Sequence, residues 1–145
     1  MGAIVLKTPK ERLPFSSHNM KLEMRKIGIG PKPIHVEVGG LCLEGELWRV
    51  DSKLFLLEGK LHGVVEVACA SSGVLFNKSI AQEVLFCFSD GIYQGAQREQ
   101  HIGGRLVDTM DIVESLDGCI DLNALLLAEV QSIHSDYHYK DQSNS

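Results

Sequence analysis

The sequence predicts an α+β fold: an antiparallel, curved sheet or a partly closed β-barrel, with a C-terminal helix packed on it. Three observations carry this. Between residues 34 and 88 apolar side chains recur with period two, in short runs separated by turn residues at about ten-residue spacing, the pattern of an antiparallel meander rather than of βαβ units. A helical stripe follows near the C-terminus, at Leu122, Leu125, Leu126, Val130 and Ile133. Finally, 145 residues at 44% hydrophobic and 23% charged fit one globular domain with an ordinary core.

The elements follow in order. Residues 1–19 are expected to be a flexible extension, because Pro9 and Pro14 break regular structure and Ser16-Ser17-His18-Asn19 is turn chemistry. Residues 20–140 form the single domain and 141–145 a polar tail. Gly28, Gly30, Pro31 and Pro33 make a stiff, non-helical connector. Ile34, Val36 and Val38 then alternate with His35 and Glu37 until Gly39-Gly40 ends the strand. Leu41, Leu43 and Leu47 point one way, Glu44 and Glu46 the other. Asp51-Ser52 turns the chain into two apolar runs, Lys53–Leu61 and Leu61–Cys69, closed by Ser71-Ser72-Gly73. Val84, Phe86 and Phe88 share one face of a later strand, opposite Glu83. Residues 89–110 read as a long polar loop with four glycines, and 111–116 as one more short strand. Asp121 is placed to cap the helix, with its carboxylate accepting a free first-turn amide. The stripe is apolar except at Glu129 and is expected to pack on the sheet. From His134 the chain reads as a polar, solvated tail.

The net charge of −5 is unevenly spread. Residues 1–32 carry seven basic and two acidic groups, a net of +5, and the remainder carries −10. An acidic body repels phosphates, so the chain as a whole is no nucleic-acid glove. The basic arm (Lys21, Arg25, Lys26 and Lys32) either contacts RNA phosphates or folds back on the acidic body. The acidic stretch with Asp108, Asp111, Glu114, Asp117 and Asp121 lacks calcium-loop spacing and reads as a solvated face or a docking surface for a basic partner.

No constellation in the sequence spells an enzyme. Cys42, Cys69, Cys87 and Cys119 form no C-x-x-C pair, and no secretory signal is evident, so reduced thiols in a cytoplasmic protein are expected. No apolar run is longer than the five residues of 124–128, too short for a membrane span. Cys69 shares its parity with Val65 and Val67, so it reads as a buried thiol rather than a nucleophile. His134 and His138 stand at i, i+4 without an H-E-x-x-H motif, and the glycines form no phosphate loop. Neither a metal nor a cofactor is expected. Trp48 reads as a half-buried strand residue rather than a stacking platform.

Leu43-Glu44-Gly45-Glu46-Leu47, then Leu56-Leu57-Glu58-Gly59-Lys60-Leu61-His62-Gly63, then Val65-Glu66-Val67-Ala68-Cys69, and finally Asp117-Gly118-Cys119-Ile120-Asp121-Leu122 with Leu125-Leu126 and Glu129, resemble the YceD family. Ser89-Asp90-Gly91-Ile92-Tyr93 and Ser135-Asp136-Tyr137-His138 resemble its variant in the Helicobacter and Campylobacter group. The resemblance covers about residues 20–140 and rests on the order and spacing of the motifs. Where the family often has C-x-R-C, this chain has Cys69-Ala70-Ser71-Ser72, so a paired-thiol or zinc role at that place does not carry over. The resemblance implies a non-enzymatic factor supporting accumulation of large-subunit ribosomal RNA, binding precursor RNA, a large-subunit ribosomal protein, or both. The alternatives are a protein–protein adaptor using the acidic 108–121 segment and a Cys69-dependent thiol enzyme or redox sensor.

Overall fold

The computed structural model describes residues 21–95, 97–136 and 138. The expected extension at 1–19 and tail at 141–145 lie outside the described residues. The chain builds strands β1 (Lys21–Glu23), β2 (Lys32–Val38), β3 (Leu41–Arg49), β4 (Leu54–Ala68), β5 (Leu75–Asp90), β6 (Glu99–Ile102), β7 (Arg105–Asp108), β8 (Val113–Ser115) and β9 (Cys119–Asp121), then helix α1 (Leu122–Ser135). The fold is α+β. Its main sheet has the order β2-β3-β4-β5-β8 and stays open rather than closing into a barrel. β1 pairs with β9, and β6 with β7, as separate two-stranded ribbons.

Strand alternation sorts the side chains onto two faces. One face carries Ile34, Val36, Leu41, Leu43, Leu47, Phe55, Leu57, Leu61, Val65, Val67 and Phe88. α1 lies over β2, β3 and β4 on this side and closes the core with Leu122, Leu126 and Val130. Met24 and Ile27, in and after a single 3-10 turn (Met24–Lys26), seal one end of it. Arg49 ties that turn to the sheet: its guanidinium donates to the carbonyls of Met24 and Ile27 at 2.8 and 2.9 Å and sits 4.6 Å from the Phe55 ring centre. The opposite face holds a smaller core of Leu56, Cys87, Ile102 and Val107, with half-buried Trp48 against it, under the β6–β7 hairpin.

Several sequence expectations are corrected. The two runs across 53–69 are one continuous strand of 15 residues, since nothing at Leu61 interrupts the alternation. The strand around Val84 begins at Leu75, because β4 extends far enough to pair Val67 with Phe76 and Ala68 with Leu75. Its early, polar residues (Asn77, Lys78, Ser79) line an edge that β8 does not reach, since β8 pairs only with Phe88–Asp90. That pairing is parallel, so the sheet is mixed rather than a pure meander. The supposed loop 89–110 contains the β6–β7 hairpin, turned by Gly103-Gly104 with φ of +57° and +81°. Two successive positive φ angles are what a two-residue hairpin turn requires, and glycine supplies them without strain. The chain beyond α1 is not solvated throughout. His138 is buried, bridges to Cys69, accepts a hydrogen bond from the Ala70 amide at its carbonyl, and contacts the Ile133 carbonyl with its ring. His134 and His138 therefore do not share a helix face. Asp121 does cap α1, its carboxylate accepting from the Ala124 N–H at 3.0 Å.

Candidate functional site

The acidic stretch borders two adjoining grooves along the flank of α1 that faces away from β2. One is lined by Phe86, Leu106, Val107, Asp108, Asp111, Val113, Leu125 and Glu129, among others. The other runs over Phe88, Val113, Glu114, Leu116, Asp117, Ile120, Asp121, Leu125 and Ala128. Val113 and Leu125 belong to both, so the two form one trough with an apolar floor. Its rim holds Asp108, Asp111, Glu114, Asp117, Asp121 and Glu129, and among the described residues no lysine or arginine lines either groove. Leu116 is 82% exposed and Met110 73% exposed beside it. Glu129 does not enter the core as the helical stripe suggested; it stands half-buried at the trough, where desolvation raises its carboxyl pKa. Asp108 is partly engaged already, accepting from Arg98 Nε and the Met110 amide, and both contacts lower its pKa, Arg98 more. Glu114 accepts from the Tyr93 amide at 2.8 Å.

The basic residues of the arm are dispersed. Lys21 reaches Asp117 at 3.3 Å, a contact that raises the lysine pKa, while the aspartate is lowered by the Ser115 hydroxyl first and then by the Cys119 amide and Lys21. Arg25 and Lys26 both turn to Glu23, at 2.8 and 3.9 Å. Lys32 stands exposed at the start of the edge strand β2, with no ion pair among the described residues. Three of the four cations thus meet the protein's own carboxylates.

A third grouping escaped sequence analysis. On the face of the sheet away from α1, β2, β3 and β4 present two cross-strand rows. Glu37, Cys42 and His62 are in register in one; His35, Glu44 and Lys60 in the next. His35 sits between carboxylates, Nε2 at 3.0 Å from Glu37 and Nδ1 at 3.0 Å from Glu44. Glu44 also meets His62 Nε2 at 2.9 Å. The Cys42 sulfur lies 3.6 Å from His35 Nε2. The ligand atoms of His35, Glu37 and Cys42 lie within 4.8 Å of one another, as do those of Cys42, Glu44 and His62. The hydrogen bond to Glu37, with support from Glu44, raises the His35 pKa against a smaller desolvation effect. The two histidines hold the Glu44 carboxyl below its usual value, His62 more than His35. Burial, reinforced by Glu44 and Glu37, pushes the Cys42 thiol up to about 11. The parity of His35 with Glu37, and of Cys42 with Glu44, was readable in the sequence. The register joining them was not.

The thiols offer no exposed nucleophile at Cys69: it is 6% exposed with its sulfur 3.3 Å from Ser71 Oγ. Burial raises Cys87 to about 11, with a smaller contribution from Asp51. Among the described residues, no helix is long and apolar enough to cross a membrane. No family model, curated protein or solved structure matches the chain.

Proposed function

We propose that this protein is a non-enzymatic binding factor that holds a basic polypeptide in the trough beside α1, and that this polypeptide is a ribosomal protein of the assembling large subunit. The observation that carries the reading is the combination of an apolar floor with a rim of six carboxylates, of which only Asp108 and Asp117 hold a cation among the described residues. A lysine- and arginine-rich amphipathic segment complements both features, and opposite surface charges speed and orient such an encounter. Glu129, desolvated and without an ion pair among the described residues, gains a counter-charge on binding. The ribosomal part of the reading rests on the ordered motifs resembling the YceD family. Protein is favoured over RNA as the direct partner because Lys21, Arg25 and Lys26 are already drawn to internal carboxylates. A merely adaptor-like role without ribosomes would use the same trough.

The test is depletion in the native cell with complementation. Depletion lowers mature large-subunit RNA and raises its precursor; the wild-type chain restores both. A variant with Asp108→Asn, Asp111→Asn and Glu114→Gln fails to restore them, as does Leu116→Asp, which alters an exposed side chain and leaves the core intact. Replacing Lys21, Arg25, Lys26 and Lys32 by alanine leaves complementation in place. Unchanged large-subunit RNA after depletion refutes the ribosomal assignment. Full rescue by both trough variants refutes the trough, and failure of the lysine–arginine variant to rescue transfers the contact to RNA.

A further inference from the structure

We propose that His35 Nε2, Cys42 Sγ and the Glu37 carboxylate form a binding site for a divalent transition-metal ion of the zinc class, with Glu44 as the residue that positions His35. The site is separate from the trough, since it lies on β2 and β3, at the opposite end of the sheet order from β5 and β8, and shares no residue with either groove. The inference does not depend on the proposed ribosomal role.

Geometry carries it. Tetrahedral zinc, with metal–nitrogen bonds of about 2.0 Å and a metal–sulfur bond of about 2.3 Å, sets the two ligand atoms roughly 3.5 Å apart. His35 Nε2 and Cys42 Sγ lie 3.6 Å apart, with the Glu37 carboxylate 3.0 Å from the same nitrogen. Register, not chance proximity of long side chains, brings them together: Glu37 is the direct cross-strand partner of Cys42, and His35 is two residues along on the same face. β2 and β3 are joined by the tight Gly39-Gly40 turn, which fixes that register. Glu44, the direct cross-strand partner of His35, takes the other ring nitrogen. A carboxylate on the far nitrogen of a metal-bound imidazole fixes the tautomer and the ring plane, the recurrent support of histidine ligands. A thiolate, an imidazole and one carboxylate select zinc, cobalt or nickel over magnesium or calcium. Cys42 is buried and His35 exposed, so the sulfur side of the ion is enclosed while a fourth position faces water. On binding, the Cys42 S–H bond is replaced by a sulfur–metal bond and the thiol proton leaves to solvent; an imidazolium at His35 gives up its Nε2 proton as well, exchanging that N–H bond for a nitrogen–metal bond while Nδ1 keeps its proton toward Glu44. No electron is transferred.

The experiment uses the full chain, stripped with chelator and kept reduced, titrated with Co2+ and then Zn2+. The expected result is a one-to-one endpoint, tetrahedral visible absorption, and a near-ultraviolet sulfur-to-cobalt band that Zn2+ abolishes and Mg2+ does not. Cys42→Ser removes the sulfur band, while Cys69→Ser and Cys119→Ser keep it. Glu44→Gln keeps the band but weakens affinity by about 10- to 100-fold. His35→Gln, at an exposed position that the core does not need, weakens binding by more than the Glu44 change. Absence of a one-to-one endpoint overturns the site, as does a sulfur band that survives in Cys42→Ser. Loss of binding in His62→Ala with retention in His35→Gln overturns the ligand set.

Discussion

Gly45 and Gly59 face each other across β3 and β4 at the same register position. A Cβ built on Gly59 would fall 2.1 Å from the Glu44 carbonyl oxygen and 2.6 Å from Gly45 Cα; one on Gly45 would fall 2.3 Å from the Glu58 oxygen. All these neighbours are backbone, so neither strand yields by a side-chain rotation. Gly59→Ala is therefore expected to destabilise the protein by about 1–3 kcal/mol, the range of a core overpacking lesion. Gly28→Ala, where a Cβ meets open space, is expected to change stability by less than about 0.5 kcal/mol. Denaturant midpoints of the two variants check this; equal effects would mean the close approach is absent. These glycines stand inside the motifs that carry the family resemblance, but the reason for them was not legible, because it lies in the facing strand. The same holds for His35, Glu37, Cys42 and Glu44. Each has the right parity, yet a one-residue slip between β2 and β3 would scatter them to opposite faces.

At the scale of elements, α1 was the clearest in sequence, since its cap and its stripe are both local. Leu122, Leu126 and Val130 are buried as the stripe requires, while Leu127, one residue along, is 46% exposed. Leu126→Ala is expected to cost about 2–5 kcal/mol and Leu127→Ala less than about 1 kcal/mol. Thermal unfolding of both variants measures the difference, and similar costs would contradict the packed face. The strand lengths were less legible. Polar residues early in β5 gave no apolar alternation, and only the partner strand reveals their pairing. The Gly103-Gly104 turn did carry a hairpin signal, masked by the polar residues around it. That hairpin is tied to the sheet by Arg105, which donates to both Glu58 oxygens at 2.9 Å. Arg105 holds the Glu58 pKa below its ordinary 4.5, so the unfolded chain binds the proton more readily. The stabilisation is then present above the ordinary carboxylate pKa and is lost as pH falls through the lowered one. Denaturant unfolding of the wild type and of Arg105→Ala across this acid range is expected to show the wild-type advantage shrinking with acid. A gap that is constant, or that widens in acid, would contradict the pairing.

Across the whole molecule, charge asymmetry was visible in composition alone, but its use was not. The sequence presented a basic arm and an acidic segment as separate features. The structure draws Arg25 and Lys26 onto Glu23 and Lys21 onto Asp117 of the rim, and leaves Asp111, Glu114 and Glu129 around an apolar trough without an ion pair among the described residues. The trough joins β8, β9 and one side of α1, elements whose adjacency depends on the parallel β5–β8 pairing that no local pattern announces. The proposal that this trough grips a basic ribosomal protein is tested by site-specific photocrosslinking from position 116 in living cells, with the adduct identified by mass. The expected result is one dominant adduct with a lysine- and arginine-rich protein of the large subunit, lost when Asp111 and Glu114 are neutralised. Adducts to RNA instead, or to acidic proteins at a yield that ignores those substitutions, would contradict it.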